Sequence, residues 1–200
     1  MRKLLVALLV SVACAAVAPM APAFAPNGGA SVGQAPPVEN VDFGHTMRVD
    51  YVHGGGPGGE AVMLDSVAND GPWPGSRTRL IDDTGLGKYF FEVTDRASQR
   101  VLYSRGFASI YGEWETTPEV RTTDRTFHES LRFPWPRDPV RVVLRKRDPQ
   151  NVFRDLWTVD IDPGAGAIDR SAPKRAGRVS PIFESGPSGS KVDVVLISEG

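Results

Sequence analysis

The stretch GKYFFEVTDRASQRVLYSRGFASIYGEWETT, from Gly87 to Thr117, decides how this chain folds. In an extended strand successive side chains point to opposite faces of a sheet. Tyr89, Phe91 and Val93 then share one face, and Phe90, Glu92 and Thr94 the other. After the polar turn Asp95-Arg96-Ala97-Ser98-Gln99, the run Arg100-Val101-Leu102-Tyr103-Ser104 is again rich in strand formers. The segment reads as a β-hairpin. Its rings are what a half-buried sheet requires, so its polar groups need not converge on any chemistry.

Working outward, HTMRVDYVHGGGPGGEAVMLDSV gives a strand at about His45 to His53, a glycine-rich turn, and a strand at about Glu60 to Val67. Ala68 to Gly87 has no sustained alternation and reads as a long loop pinned by Trp73. In RTFHESLRFPWP, Phe127, Glu129, Leu131 and Phe133 fall on one face and His128, Ser130 and Arg132 on the other. This is a strand that Pro134 and Pro136 should end. VRVVLRKRDPQNVFRDLWTVDID reads as a third hairpin, turning at Asp148-Pro149-Gln150-Asn151 with Asp and Pro at the first two positions of a type I turn. About seven or eight short strands, turn signals at close spacing and no helical period predict an all-β antiparallel sandwich of immunoglobulin-like architecture.

Composition agrees. The 200 residues are 40% hydrophobic and 24% charged, and Gly 21 with Pro 17 favours short strands over long helices. The N-terminus opens with Arg2 and Lys3, continues as an apolar run from Leu4 to about Ala18, and ends in small residues. That pattern is a secretory signal peptide, too short to span a bilayer, so the protein is expected to be secreted or periplasmic with no stable membrane span. Ser11 sits where a lipoprotein signal wants a bulky aliphatic residue, which argues against lipidation at Cys14. Cys14 is the sole cysteine, so the mature chain has no disulfide and no cysteine metal site. Without Arg2 and Lys3 the chain carries 21 bases against 24 acids, spread without blocks, and nothing suggests a nucleic-acid partner. The organisation expected is a signal peptide over 1–23 with an unsettled cleavage site, a flexible leader over 24–40, the sandwich over 41–162, a linker over 163–190, and an apolar strand over 191–200.

Each constellation that could carry chemistry has a plainer reading. An H-E-x-x-H zinc site needs two histidines one helical turn apart beside a glutamate. The sole His-Glu pair, His128-Glu129, is followed by Ser130, Leu131 and Arg132 and lies on a strand. His45 and His53 are eight residues apart on one strand, about 26 Å if fully extended, and read as independent. Asp82-Asp83-Thr84-Gly85 reads as a turn in which Asp bonds its own backbone rather than calcium. Gly54 to Gly59 and Gly85-Leu86-Gly87-Lys88 lack a phosphate loop's spacing and read as turns. No nucleophile elbow occurs. Trp73, Tyr89, Tyr103, Tyr111, Trp114, Trp135 and Trp157 could include a glycan or peptide platform but suit packing better. No catalytic, cofactor-binding or metal residue is assigned, and no cofactor.

The run from GPWPGSRTRLIDDTGLGKYFF through RTFHESLRFPWP and VRVVLRKRDPQNVFRDLW, and on to KVDVVLISEG, resembles the N-terminal domain of secreted bacterial IgA-peptidase-type zinc metallopeptidases. The likeness covers about His45 to Asp162. It implies a non-catalytic β-sandwich preceding a separate domain that supplies the H-E-x-x-H zinc site, with Val192 to Ile197 like that domain's opening strand. The chain would then be a truncated or split product, whose partner is a metallopeptidase catalytic domain in cis or on a separate chain. None of the family's zinc ligands has a matching position here. The alternative is a free-standing adhesion or ligand-binding module for a protein or glycan, which would expose Trp73, Trp114 and Trp135 together. An enzyme in its own right would require His45, His53 or His128 to converge with acids across strands.

Overall fold

A computed structural model describes residues 38–173, 181–183, 185 and 186. The expected signal peptide, most of the leader and the strand over 191–200 lie outside the described residues.

Seven antiparallel strands form two sheets. They are β1 (Val41–Gly56), β2 (Gly59–Asn69), β3 (Tyr89–Asp95), β4 (Val101–Phe107), β5 (Arg125–Pro136), β6 (Val140–Arg147) and β7 (Phe153–Ile161), with a short helix α1 (Ile110–Trp114) between β4 and β5. The first sheet has the order β2-β1-β5 and the second β4-β3-β6-β7. This is the all-β sandwich expected from the sequence.

Alternation explains which faces meet. Along β3, Tyr89, Phe91, Val93 and Asp95 are buried while Phe90, Glu92 and Thr94 are half-buried. Met47, Val49 and Tyr51 of β1, Leu131 and Phe133 of β5, and Val140, Val142 and Leu144 of β6 fill the space between the sheets. Burying each such side chain contributes about 1.5–3 kcal/mol. Tyr103 and Phe91 pack with ring centroids 5.6 Å apart, and Phe91 reaches Phe133 across the interface at 6.3 Å.

The three hairpins turn where expected. In the third, the Asn151 N–H donates to the Asp148 carbonyl at 2.9 Å, and Asp148 Oδ1 accepts from the Gln150 and Val152 N–H groups at 3.0 and 2.8 Å. The long loop is tied down by Trp73, whose N–H donates to the Phe43 carbonyl at 3.1 Å and whose ring packs edge-on against Tyr103 at 5.5 Å.

Three details depart from the reading of the sequence. β5 does not stop at its prolines: Pro134 pairs with Thr46 and Pro136 with Val41. An edge strand tolerates the missing donors, and the register breaks between Asp42 and Thr46, beside these prolines. The glycine-rich stretch is mostly strand, since Gly54 to Gly56 belong to β1 and only Pro57-Gly58 turns. A helix also forms without a helical period, because Ser109 caps it: its side chain accepts from the Gly112 N–H at 3.0 Å.

Candidate functional site

At one end of the sandwich, six elements bring charged and aromatic groups to one place. The centre is His53 of β1, fully buried at 0% exposure. Its Nδ1 lies 3.0 Å from Glu129 Oε2 on β5, and its Nε2 lies 2.8 Å from Glu60 Oε1 on β2. A neutral imidazole has one donor and one acceptor nitrogen, so only the imidazolium satisfies both carboxylates. Burial pushes the His53 pKa down, but the hydrogen bonds and charges of Glu129 and Glu60 outweigh it and hold it above the ordinary value.

The carboxylates are held in turn. Burial pushes Glu129 up, yet hydrogen bonds from His53, the Tyr111 backbone N–H at 3.0 Å and the Tyr51 hydroxyl at 2.9 Å leave its pKa lowered. Glu60 is likewise lowered against burial by His53 and Lys146. Lys146 of β6 bridges Glu60 and Glu115, the latter at 2.7 Å, and Lys88 also pairs with Glu115. The Tyr89 hydroxyl donates to Glu60 and Glu115 at 3.2 and 3.3 Å. Three carboxylates thus face three cations, and the cluster is neutral as a whole.

Aromatic rings enclose the ion network. Tyr111 of α1 stacks on His53 with ring centroids 3.9 Å apart and planes 18° apart, and Tyr89 meets the imidazole edge-on at 5.5 Å. Lys146 Nζ lies 5.8 and 5.7 Å from the Tyr89 and Tyr111 ring centres. Gly55 permits this arrangement, because a Cβ there would collide with the Tyr111 hydroxyl. Burial and the charges of Glu60 and Glu115 push the Tyr111 phenol up to about 12, and Tyr51 and Tyr89 are also raised. The Tyr51 and Tyr89 phenols act as hydrogen-bond donors to these carboxylates.

The arrangement is a closed set of ion pairs and hydrogen bonds, and its Lys88 and Lys146 also line a cavity of about 590 Å³ with Arg147, Asp148 and Arg154. His53 spends its two nitrogens on carboxylates at opposite sides of the ring. Among the described residues, no three His, Cys, Asp or Glu side chains converge to hold a metal ion. The network instead ties α1 and its flanking connection to both sheets.

This corrects one expectation. The polar groups of Gly87 to Thr117 do converge: Lys88, Tyr89, Tyr111 and Glu115 all belong to the cluster. His53 and His45 keep separate partners, as expected, and His53 meets acids from two other strands, which spacing along the chain did not display. The signal lay in parity, since Glu129 shares the inward face of Leu131 and Phe133, where an unpaired acid would be costly.

The remaining candidates stand apart. His45 is exposed and 2.8 Å from Asp42. His128 is exposed and paired in register with Val52. Asp82 Oδ1 accepts from the Thr84 N–H and hydroxyl at 2.8 and 2.6 Å, the turn geometry expected of it. Trp114 is buried, whereas Trp73 and Trp135 are partly buried against the core, so the three form no common exposed platform.

Fold and cluster together define an all-β sandwich domain braced by an internal ion network. The family described as Peptidase M64 N-terminus matches residues 39–158. The chain belongs to this family, the N-terminal domain of the IgA-peptidase-type metallopeptidases, and that domain is not itself the catalytic part. No curated protein matches the chain.

Proposed function

We propose that this chain is an exported, non-catalytic module that packs against and positions the catalytic domain of an M64 zinc metallopeptidase. The observation that carries the reading is the family match over 39–158, which spans the whole seven-strand sandwich up to Thr158 in β7. The saturated cluster supports it: a network in which each imidazole nitrogen, carboxylate and ammonium has a partner suits a rigid support better than a reaction centre. Export rests on the basic start Arg2-Lys3 and the apolar run that follows. No helix among the described residues is long and apolar enough to cross a membrane.

The test is association. The full chain is mixed with a separately produced M64 catalytic domain and followed by sedimentation velocity and by the thermal midpoint of the catalytic domain. Co-sedimentation with a raised midpoint is expected. Independent sedimentation with an unchanged midpoint, against catalytic domains of several family members, would overturn the packing role.

A further inference from the structure

A sandwich has four exposed strand edges, and here three are blunted. The β4 edge is covered by the long loop: the Ser104 N–H donates to the Leu80 carbonyl at 2.9 Å, and Asp82 Oδ2 accepts from the Gly106 N–H at 2.7 Å. The β5 edge carries Pro134 and Pro136 with exposed Arg125 and Arg132. The β7 edge carries exposed Arg154, Asp155 and Asp160. Prolines, charges and loop cover are the usual means by which sheet edges avoid pairing.

β2 is different. Its C-terminal part is already paired, because Asp169 runs alongside Ala68 and exchanges backbone hydrogen bonds with Val67 and Asn69 at 3.0 and 2.8 Å. Among the described residues nothing pairs with the outer side of Gly59 to Ser66. That open part is apolar: Met63 is 65% exposed and Leu64 44%. Its one ionised side chain before Asp65 is Glu60, which is turned into the His53 cluster.

We propose that the open part of β2 pairs antiparallel with the same segment of a second copy of this chain, joining two three-stranded sheets into one of six strands about a two-fold axis at Val62. An antiparallel pair of identical strands is isologous by geometry. The ladder to β1 is regular from Gly59 to Leu64 and breaks at Asp65, which fixes the usable length. Centred on Val62, Glu60 lies opposite Leu64 of the second copy, Ala61 opposite Met63, and Val62 opposite Val62. No two acids face each other. Val62 meets its counterpart on the inner face, where each Leu64 lies beside the Glu60 that the His53 cluster already holds, and Ala61 meets Met63 on the outer face, so the centre of the pair covers apolar surface with apolar surface. This goes beyond the peptidase reading and is independent of it.

The experiment is sedimentation velocity of the full chain from about 1 to about 300 μM, a range that brackets weak self-association. Ala61 and Met63 are solvent-facing, so changes there leave the fold intact, which circular dichroism verifies. The chain should dimerise within that range. Ala61→Lys with Met63→Lys sets like charges opposite each other in each pair and should weaken dimerisation about tenfold or more. Ala61→Lys with Met63→Glu sets opposite charges there and should retain it. A chain that stays monomeric throughout overturns the proposal, leaving the edge to another partner. So does a dimer that the Lys/Lys variant leaves intact, or one that both variants weaken alike.

Discussion

Glu129→Gln is the sharpest probe of the buried cluster, because it removes a charge while keeping the shape. Glu129 is 7% exposed and accepts from His53, Tyr51 and the Tyr111 backbone N–H. Neither orientation of an amide can satisfy all three. With its oxygen toward His53 and Tyr51, its NH2 faces the Tyr111 N–H; reversed, two donors face its NH2. The imidazolium also loses one of its two counter-ions. Breaking a buried pair by removing one partner costs about 3–5 kcal/mol, and each hydrogen bond to a charged group about 1.5–3 kcal/mol. Since the amide retains some of these contacts, a loss of about 3 kcal/mol is expected, lowering the midpoint by on the order of 10 °C for a domain of this size. Urea unfolding followed by tryptophan fluorescence reads it directly. His128→Gln, one residue away on the outer face, is the control and should leave the midpoint where it is. If Glu129→Gln costs less than about 1 kcal/mol, or matches the control, the cluster does not brace the fold.

Further expectations concern the same packing. The raised His53 pKa means its contribution is fully present below the unfolded value of about 6.5 and is lost as pH rises through the folded value. The lowered Glu60 and Glu129 contribute above about 4.3 and lose their effect as pH falls through their folded values. Stability should therefore fall on both sides of a plateau, and His53→Gln should remove the alkaline decline in a pH series of urea midpoints. Gly55→Ala should cost about 1–3 kcal/mol by displacing Tyr111, and combining it with Tyr111→Phe should cost less than the two changes summed. Thr46 is buried with no hydrogen-bond partner for Oγ1 among the described residues, so Thr46→Val should be neutral or stabilising by up to about 1 kcal/mol in thermal unfolding.

Much of the fold was legible because alternation along β3 and β5 separates inward Phe91, Val93, Leu131 and Phe133 from polar neighbours. Turn chemistry placed the hairpins, as at Asp148. The helix at Ile110–Trp114 was not legible, since five residues cannot display a helical period and its cap is a single serine. The cluster was hidden for another reason: Tyr51, His53, Glu60, Tyr89, Tyr111, Glu115, Glu129 and Lys146 come from six elements, and only the stacking of two sheets and α1 brings them together. Parity alone puts Tyr51, His53 and Glu129 inward. It does not say that they meet, because sheet order fixes that, and sheet order leaves no local trace in the sequence.

The central claim, a support domain with no metal chemistry of its own, is tested most directly by the zinc content and peptidase activity of the purified full chain after dialysis. Well below one zinc per chain is expected, with no hydrolysis of protein substrates that chelation abolishes. Near-equimolar zinc that survives dialysis, together with peptidase activity lost on chelation, would contradict it.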